Sequence, residues 1–477
     1  MLSSSSSSPA GARWIKQQLS GHPVIQILLV SGLIILAGFI LAQFIPVSMA
    51  WAAGLTVFCL VCWGTGIVPE YWPVLVFFLV AIVCHVATPQ VVFSGFTSSV
   101  FWLFFGGMIL GASIRYTGLD KRAAVLITRV MGRSYAGMIA MTVVCGFLLA
   151  FIIPSAMGRV VLLLPIVTGL AEHMGYSPGR KGWLGFLLAA FFGTVLPGFT
   201  ILPANAPNMV LAGTTENLYH FHMSYWDYLK INLPVLGMLK SAVLIVLIVW
   251  MFPDKAPAFA PSEQNQRLPL SGPEKKLIAI IGLCLLGWLS DSLHHVSPGW
   301  IALAAAVICL LPGAGLTARR CLSEEVNYGS LFFIAGVLGL GAVISASGLG
   351  HALVEILSES VGFSPDHDLY NLGALTGMST LIAFVASPPG LPIVMTPVAE
   401  GFAGLTGLSL TAVLMTQVMA FSNIFLPYQS PPLLSAVQMA KIPLGPASKL
   451  CFTLFVITLL VLIPLNLLWL HLLGVIH

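Results

Sequence analysis

Charge is what this sequence has least of. Lys and Arg number 20 and Asp and Glu 16 among 477 residues, so 8% of the chain is charged while 58% is hydrophobic. A soluble domain could not clothe its surface with so few charges, which leaves a polytopic membrane protein. The net charge of +4 comes with no basic patch or nucleic-acid motif, so no nucleic-acid partner is expected. Carboxylates are absent from the helix breaks described below, apart from a peripheral Glu400, which argues against proton exchange through a buried acid. No His lies in the core of an apolar run. Ser155 and Ser387 therefore lack the base that a serine hydrolase needs, and the chain does not read as an enzyme. The cysteines are scattered, and Cys59 and Cys62 form a C-x-x-C inside an apolar run with no further ligands, so they read as small packing residues. No cofactor is expected.

Long apolar runs are abundant. They cover 24–45, 47–68, 72–86, 100–114, 184–196, 231–251, 277–289, 300–311, 331–344, 408–426 and 450–473. At roughly 20 helical residues per crossing, they predict about 11 transmembrane helices. The bases orient them, because cytoplasmic loops collect Lys and Arg. Arg13 and Lys16, then Lys121, Arg122, Arg129 and Arg133, then Arg180 and Lys181, fall on one side. The opposite loops carry acids such as Glu216, Asp227, Asp291 and Glu355. The expectation is a multi-pass cell (inner) membrane protein with its N-terminus cytoplasmic and its C-terminus outside. A Ser-rich cytoplasmic tail is expected over 1–23 and a first crossing over 24–46. Two halves follow, 47–252 and 274–477, joined by a Pro- and Ser-rich linker over 253–273.

Each half holds a helix-breaking tip between short apolar runs. In the first, Pro154-Ser155-Ala156-Met157-Gly158-Arg159 interrupts 141–170. In the second, Ser387-Pro388-Pro389-Gly390 interrupts 370–404. The flanking runs at the first tip are about 11 to 13 residues, too short to cross, so the expectation is two re-entrant hairpins. Ser155, Gly158 and Pro165 align with Ser387, Gly390 and Pro397 at one offset. Gly106, Gly111, Ala112, Gly118 and Leu119 align with Gly336, Gly341, Ala342, Gly348 and Leu349 at another. Five crossings separate equivalent spans, so the halves read as inverted repeats, the first hairpin opening to the cytoplasm and the second to the outside. Two Pro-interrupted loops, 202–208 and 426–432, supply further breaks.

Half-helix N-termini at such breaks favour an anion through free N–H groups and the helix dipole. The candidate substrate-binding residues are Ser155, Ala156, Met157, Gly158 and Arg159 at the first tip, and Ala204, Asn205 and Asn208 in the first loop. Ser387, Pro388, Pro389 and Gly390 at the second tip join Gln429, Ser430 and Pro431 in the second loop. Single Ser and Asn residues among these could simply cap helices. Arg159, one turn past the tip, is the sharpest candidate, either gripping the anion, or held in an ion pair, or snorkelling to the cytoplasmic rim. Lys240 reads as a bundle contact or a snorkelling residue.

At these residues the chain resembles the divalent anion/sodium symporter family. Gly106-Gly107-Met108-Ile109-Leu110 with Gly118-Leu119-Asp120-Lys121-Arg122 is similar to its fourth-span signature. Pro154-Ser155 with Leu162-Leu163-Leu164-Pro165 looks like its first hairpin, and Ala206-Pro207-Asn208 and Ser430-Pro431-Pro432 look like its unwound loops. The resemblance implies a homodimer with scaffold and transport domains, carrying a small anion such as a di- or tricarboxylate by elevator-type alternating access. It also implies sodium near Ser155, Asn208, Ser387 and Ser430. The family writes Ser-Asn-Thr at both tips, whereas Ala156, Met157, Pro388 and Pro389 stand here. Hard oxygen ligands are thereby lost. The leading expectation is a secondary transporter of a small anion, with sodium-independent exchange, Arg159 standing in for the cation, as one form of it. The alternatives are sodium-coupled anion symport and sodium/proton antiport.

Overall fold

The computed structural model describes residues 43, 45–65, 68–119, 122, 134–153, 155–255, 269–365 and 367–476. The expected tail, the first crossing over 24–46 and most of the linker lie outside the described residues. Within them, every expected apolar run lies on helix. Inside a bilayer no water satisfies the backbone, so each N–H and C=O must bond within its own segment. The first half runs α1 (Val47–Thr65), α2 (Tyr71–Val83), α3 (Ser99–Thr117), α4 (Tyr135–Ile152), α5 (Ala156–His173), α6 (Lys181–Val195), α7 (Ala206–Tyr219) and α8 (Tyr225–Met251). The second runs α9 (Gly272–Leu289), α10 (Pro298–Leu310), α11 (Tyr328–Ala346), α12 (Leu349–Val361), α13 (Asp368–Met395), α14 (Ala399–Thr406), α15 (Leu410–Phe421), α16 (Pro431–Met439) and α17 (Leu444–Leu472). No strand occurs among the described residues. Helices α3, α4, α6, α8, α11 and α17 are long and apolar enough to cross a membrane, and α1, α2, α10 and α15 are shorter and apolar. The protein is all-helical and multi-pass.

The first hairpin closes on itself. The rings of Tyr135, at the start of α4, and Tyr176, just past α5, meet edge to face with centroids 6.2 Å apart. Halfway between them in sequence lies Ser155, where α4 stops and α5 begins. Each arm is 18 residues long, against the 11 to 13 expected. The helices extend past the apolar core into Tyr135-Ala136-Gly137 at one end and Glu172-His173 at the other. Arms of that length reach about 27 Å, most of the way across a hydrocarbon core.

The second stretch departs from expectation at its tip. The backbone stays helical from Asp368 to Met395, with Pro388, Pro389 and Pro392 inside the helix. A straight helix of that length would measure about 42 Å. The chain nevertheless returns: Asn371 Nδ2 donates to the carbonyl of Thr406 at 3.4 Å. Halfway between these residues lie Pro388 and Pro389. Legs of about 26 and 27 Å on either side of that pair close the loop, whereas a straight α13 cannot. The prolines remove the N–H partners of the carbonyls four residues back, so the helix bends there without unwinding.

Helices α6 and α15 form the centre. The apolar stretch Lys181–Thr200 is 94% buried, and α15 is buried from Ala412 to Phe421. A helix apolar all round belongs inside a bundle. Contact between α4 and α6 is close enough to require glycine. A Cβ on Gly193 would sit 2.7 Å from the Cα of Val143, and one on Gly146 would sit 2.9 Å from the backbone of Gly193 and Thr194. Small residues let backbones approach where lipid offers no hydrophobic drive for association. Both central helices stop deep in the protein, and the breaks follow.

Candidate functional site

A cavity of about 930 Å³ lies among the breaks. That is ample for a small organic anion and some of its water. Three helix N-termini meet its wall: α5 through Ser155 and Ala156, α7 through Asn205 and Ala206, and α16 through Ser430 and Pro431. The bent tip of α13 adds Pro388 and Pro389. Ser155 Oγ accepts from the Gly158 N–H at 3.1 Å, which caps α5. The N–H groups of Ala156 and Met157 lie in the first turn, where a helix has no acceptor of its own for them. An anion placed there gains those donors and the positive end of the dipole.

Of the expected site residues, Ser155, Ala156, Met157, Gly158, Asn205, Pro388, Pro389, Gln429, Ser430 and Pro431 line this cavity. Ala204, Asn208 and Gly390 are buried outside its lining, and the Ser387 side chain lies outside the description.

Arg159 neither grips a ligand in the cavity nor snorkels to the rim. It is fully buried behind the first tip. Its guanidinium donates to the carbonyls of Ile153 at 2.6 Å, Ala204 at 3.1 Å and Thr194 at 3.0 Å. It donates further to Thr194 Oγ1 at 3.1 Å and Asn205 Oδ1 at 3.3 Å. All these acceptors are neutral. The C-terminus of α6 and the break between α4 and α5 leave carbonyls without intrahelical donors, and a five-donor fork is suited to collecting them.

Asn208 is likewise turned inward. Its Nδ2 donates to the carbonyls of Gly198 and Ile201, both at 2.8 Å. Each of these carbonyls also accepts a backbone N–H from its own 3₁₀ turn, Gly198 from Ile201 at 3.3 Å and Ile201 from Ala204 at 2.9 Å, so Asn208 uses their second lone pairs and ties the two turns together. Gln429 does similar work at the second break. Its Oε1 accepts from the Phe425 and Leu426 N–H groups at 2.7 and 3.1 Å, and its Nε2 donates to the carbonyl of Ala383 in α13 at 3.3 Å. Lys240 is a bundle contact: it is 3% exposed, and its Nζ donates to the Ser422 carbonyl at 2.7 Å, just past the end of α15. Glu400 is exposed and does not line the cavity. Among the described residues no cluster of His, Cys, Asp and Glu could hold a metal ion.

Two features were not foreseen. Thr194 supplies two of the acceptors for Arg159. Its signal was present, since it is the one hydroxyl in the otherwise apolar run 184–196. The cavity wall also carries Glu70, Arg115 and Glu325, and Arg115 Nη2 meets Glu325 Oε2 at 2.6 Å. Those two residues are 210 apart in sequence and carry no shared motif.

Comparison with known proteins gives a consistent picture. Residues 39–426 match the family model described as citrate transporter. The Inner membrane protein YbhI of Escherichia coli (strain K12) is 25% identical over 344 residues, covering 70% of this chain and 71% of that one. The L-tartrate/succinate antiporter of the same strain is 24% identical over 296 residues, covering 57% of this chain and 58% of the relative. Among solved structures, the Alcanivorax borkumensis YdaH transporter superposes with a TM-score of 0.55 at 16% identity, covering 80% of this chain and 88% of that one. That likeness concerns the fold.

Proposed function

Because the chain belongs to the citrate transporter family, we propose that this secondary transporter exchanges small di- or tricarboxylates across the inner membrane without sodium. The observation that carries the reading is the oxygen cage around Arg159. Three backbone carbonyls, a hydroxyl and an amide oxygen converge beside the first tip, a donor set that would suit a hard cation. Here a guanidinium fills it. A dianion brought to the tip then meets a fixed positive charge behind the N–H groups of α5, and an ion need not accompany it. Unpaired charge at membrane depth is expensive, so an empty carrier that keeps its cation crosses poorly. That favours exchange over net uptake.

The fold-back segments α4–α5 and α13–α14, with the central helices and their breaks, form the moving part in this reading. The halves 47–252 and 274–477 are inverted repeats, and two chains pair through the scaffold. The positive-inside rule puts the end of α3 that carries Arg115 on the cytoplasmic side. Relatives whose names include L-tartrate and succinate point to four-carbon dicarboxylates as first substrates to try.

The test is counterflow of labelled succinate, L-tartrate and citrate in proteoliposomes, with sodium present or replaced by choline. Exchange of at least one anion at equal rate in both media is expected. Strict sodium dependence overturns the coupling assignment, and failure of all three anions overturns the substrate class.

A further inference from the structure

Among the described residues, the charged groups on the cavity wall are Glu70, Arg115 and Glu325. Arg159 is fully buried and cannot touch a solute there. Among the described residues, Arg115 is therefore the cationic side chain on this wall that an entering anion can reach. It sits in the last turn of α3, where a cation also complements the negative end of the helix dipole. We infer that Arg115 is an outer docking residue for the anion, and that Glu325 holds its guanidinium until a cargo carboxylate replaces it.

The geometry fits a replaceable partner. Arg115 and Glu325 meet through one pair of atoms, Nη2 and Oε2, with side chains 51% and 42% exposed. A half-exposed, single-contact pair is held weakly, and water and salt compete for it. An incoming carboxylate offers the same chemistry and can use both arms of the fork. Glu325 is tethered just ahead of α11, so it is always at hand when the guanidinium is vacated. Once displaced, its carboxylate and that of Glu70 stand at the same wall as the cargo. Like charges there disfavour a return to Arg115 and leave the N–H groups of Ala156 and Met157 as the favourable next contact.

The inference rests on the anion reading of this cavity, and the experiment separates the two. Initial rates of succinate, L-tartrate and citrate exchange are measured in proteoliposomes of defined orientation for wild type, Arg115→Gln, Arg115→Lys and Glu325→Gln. Arg115→Gln should raise KM on the cytoplasmic side by about two- to fivefold, the upper range for a solvent-screened charged contact, with the maximal rate within about twofold. Glu325→Gln should lower KM on that side, and Arg115→Lys should restore most of the loss. The wild-type KM should rise with ionic strength, and that of Arg115→Gln should not. A purely structural bridge would make Arg115→Gln and Glu325→Gln fail alike, and parallel losses would overturn the inference. So would an unchanged KM in Arg115→Gln. A wild type that moves none of the three anions removes the anion reading itself, and this inference with it.

Discussion

Arg159 communicates with the cavity through Asn205. The Asn205 Oδ1 accepts from Arg159 Nη2 at 3.3 Å, its Nδ2 donates to the Val195 carbonyl at 3.2 Å, and its residue forms part of the cavity wall. The amide is thus polarised from behind by a permanent charge. Hydrogen bonds in such chains strengthen one another inside a protein.

Replacing the guanidinium should therefore act on folding and on transport together. Arg159→Gln leaves the carbonyls of Ile153, Thr194 and Ala204 short of donors, at about 1–3 kcal/mol for each orphaned group. A large fall in thermal stability in detergent is expected, with no sodium-free exchange. Arg159→Lys keeps the charge but has three donors for five acceptors, so it should fold better than Gln and recover part of the exchange. Equal thermal stability of wild type and Arg159→Gln would contradict the cage.

Asn208→Ala should be a stability variant and not a binding variant. It removes the second donor to Gly198 and Ile201, whose carbonyls keep their backbone donors, which predicts a loss of about 0.5–1.5 kcal/mol for each bond. Thermal unfolding should shift down, while the KM of the folded fraction stays near wild type. A raised KM with normal stability would return Asn208 to the binding site.

The α4–α6 contact offers a paired test. Gly193→Ala places a methyl 2.7 Å from the Cα of Val143, and backbone cannot yield cheaply. Overpacking of this kind costs about 1–3 kcal/mol. Gly169→Ala in α5 meets nothing within 4 Å and gains helix propensity. Size-exclusion profiles of the two variants after mild heating should differ, with Gly193→Ala aggregating first.

Stability should also depend on pH through Asp254. Its carboxylate takes bonds from Arg180 Nε at 2.8 Å and Nη2 at 2.6 Å, and from the Gly182 N–H at 2.8 Å. The Arg180 hydrogen bonds hold its pKa below the usual aspartate value, against a smaller opposing effect of burial. The folded state binds its proton less readily than the unfolded chain. The stabilisation is therefore complete above the unfolded value, near 3.9, and is lost as pH falls through the lower folded value. Asp254→Asn should flatten that part of the melting-temperature profile below about pH 4. An identical acid limb in the variant would place the effect elsewhere.

The helical architecture was legible because a bilayer permits so little else. The apolar runs, the prolines at 197, 203 and 207, and the bases in the loops marked where helices lie and stop. Side-chain direction was not legible at the tip. Met157 and Arg159 are two residues apart, about 200° around a helix, so one faces the cavity while the other faces away. Which of them does so depends on how α5 packs against α6, and the acceptor that draws Arg159 toward α6, Thr194, lies 35 residues away in sequence. The second tip was misjudged for a related reason. Paired prolines end most helices, but they also hold φ near the helical value, and tertiary closure by Asn371 and Thr406 lets α13 bend without unwinding. Asn208 looked like a ligand because loop amides often are, and the two carbonyls that its amide joins come together only once the loop is folded.

A guanidinium caged by neutral acceptors is also a handle for the electric field. Carrying one elementary charge across the whole potential changes its energy by about 2.3 kcal/mol per 100 mV. If the hairpin tip moves through even part of that field, the resting voltage selects where an empty carrier waits. An inside-negative membrane draws Arg159 inward and parks the vacant site toward the cytoplasm. A bound dianion outweighs that single charge and reverses the pull. The current carried by exchange should then depend on the difference in valence between the two cargoes, so that swapping like for like is electrically silent while swapping a dianion for a trianion is not.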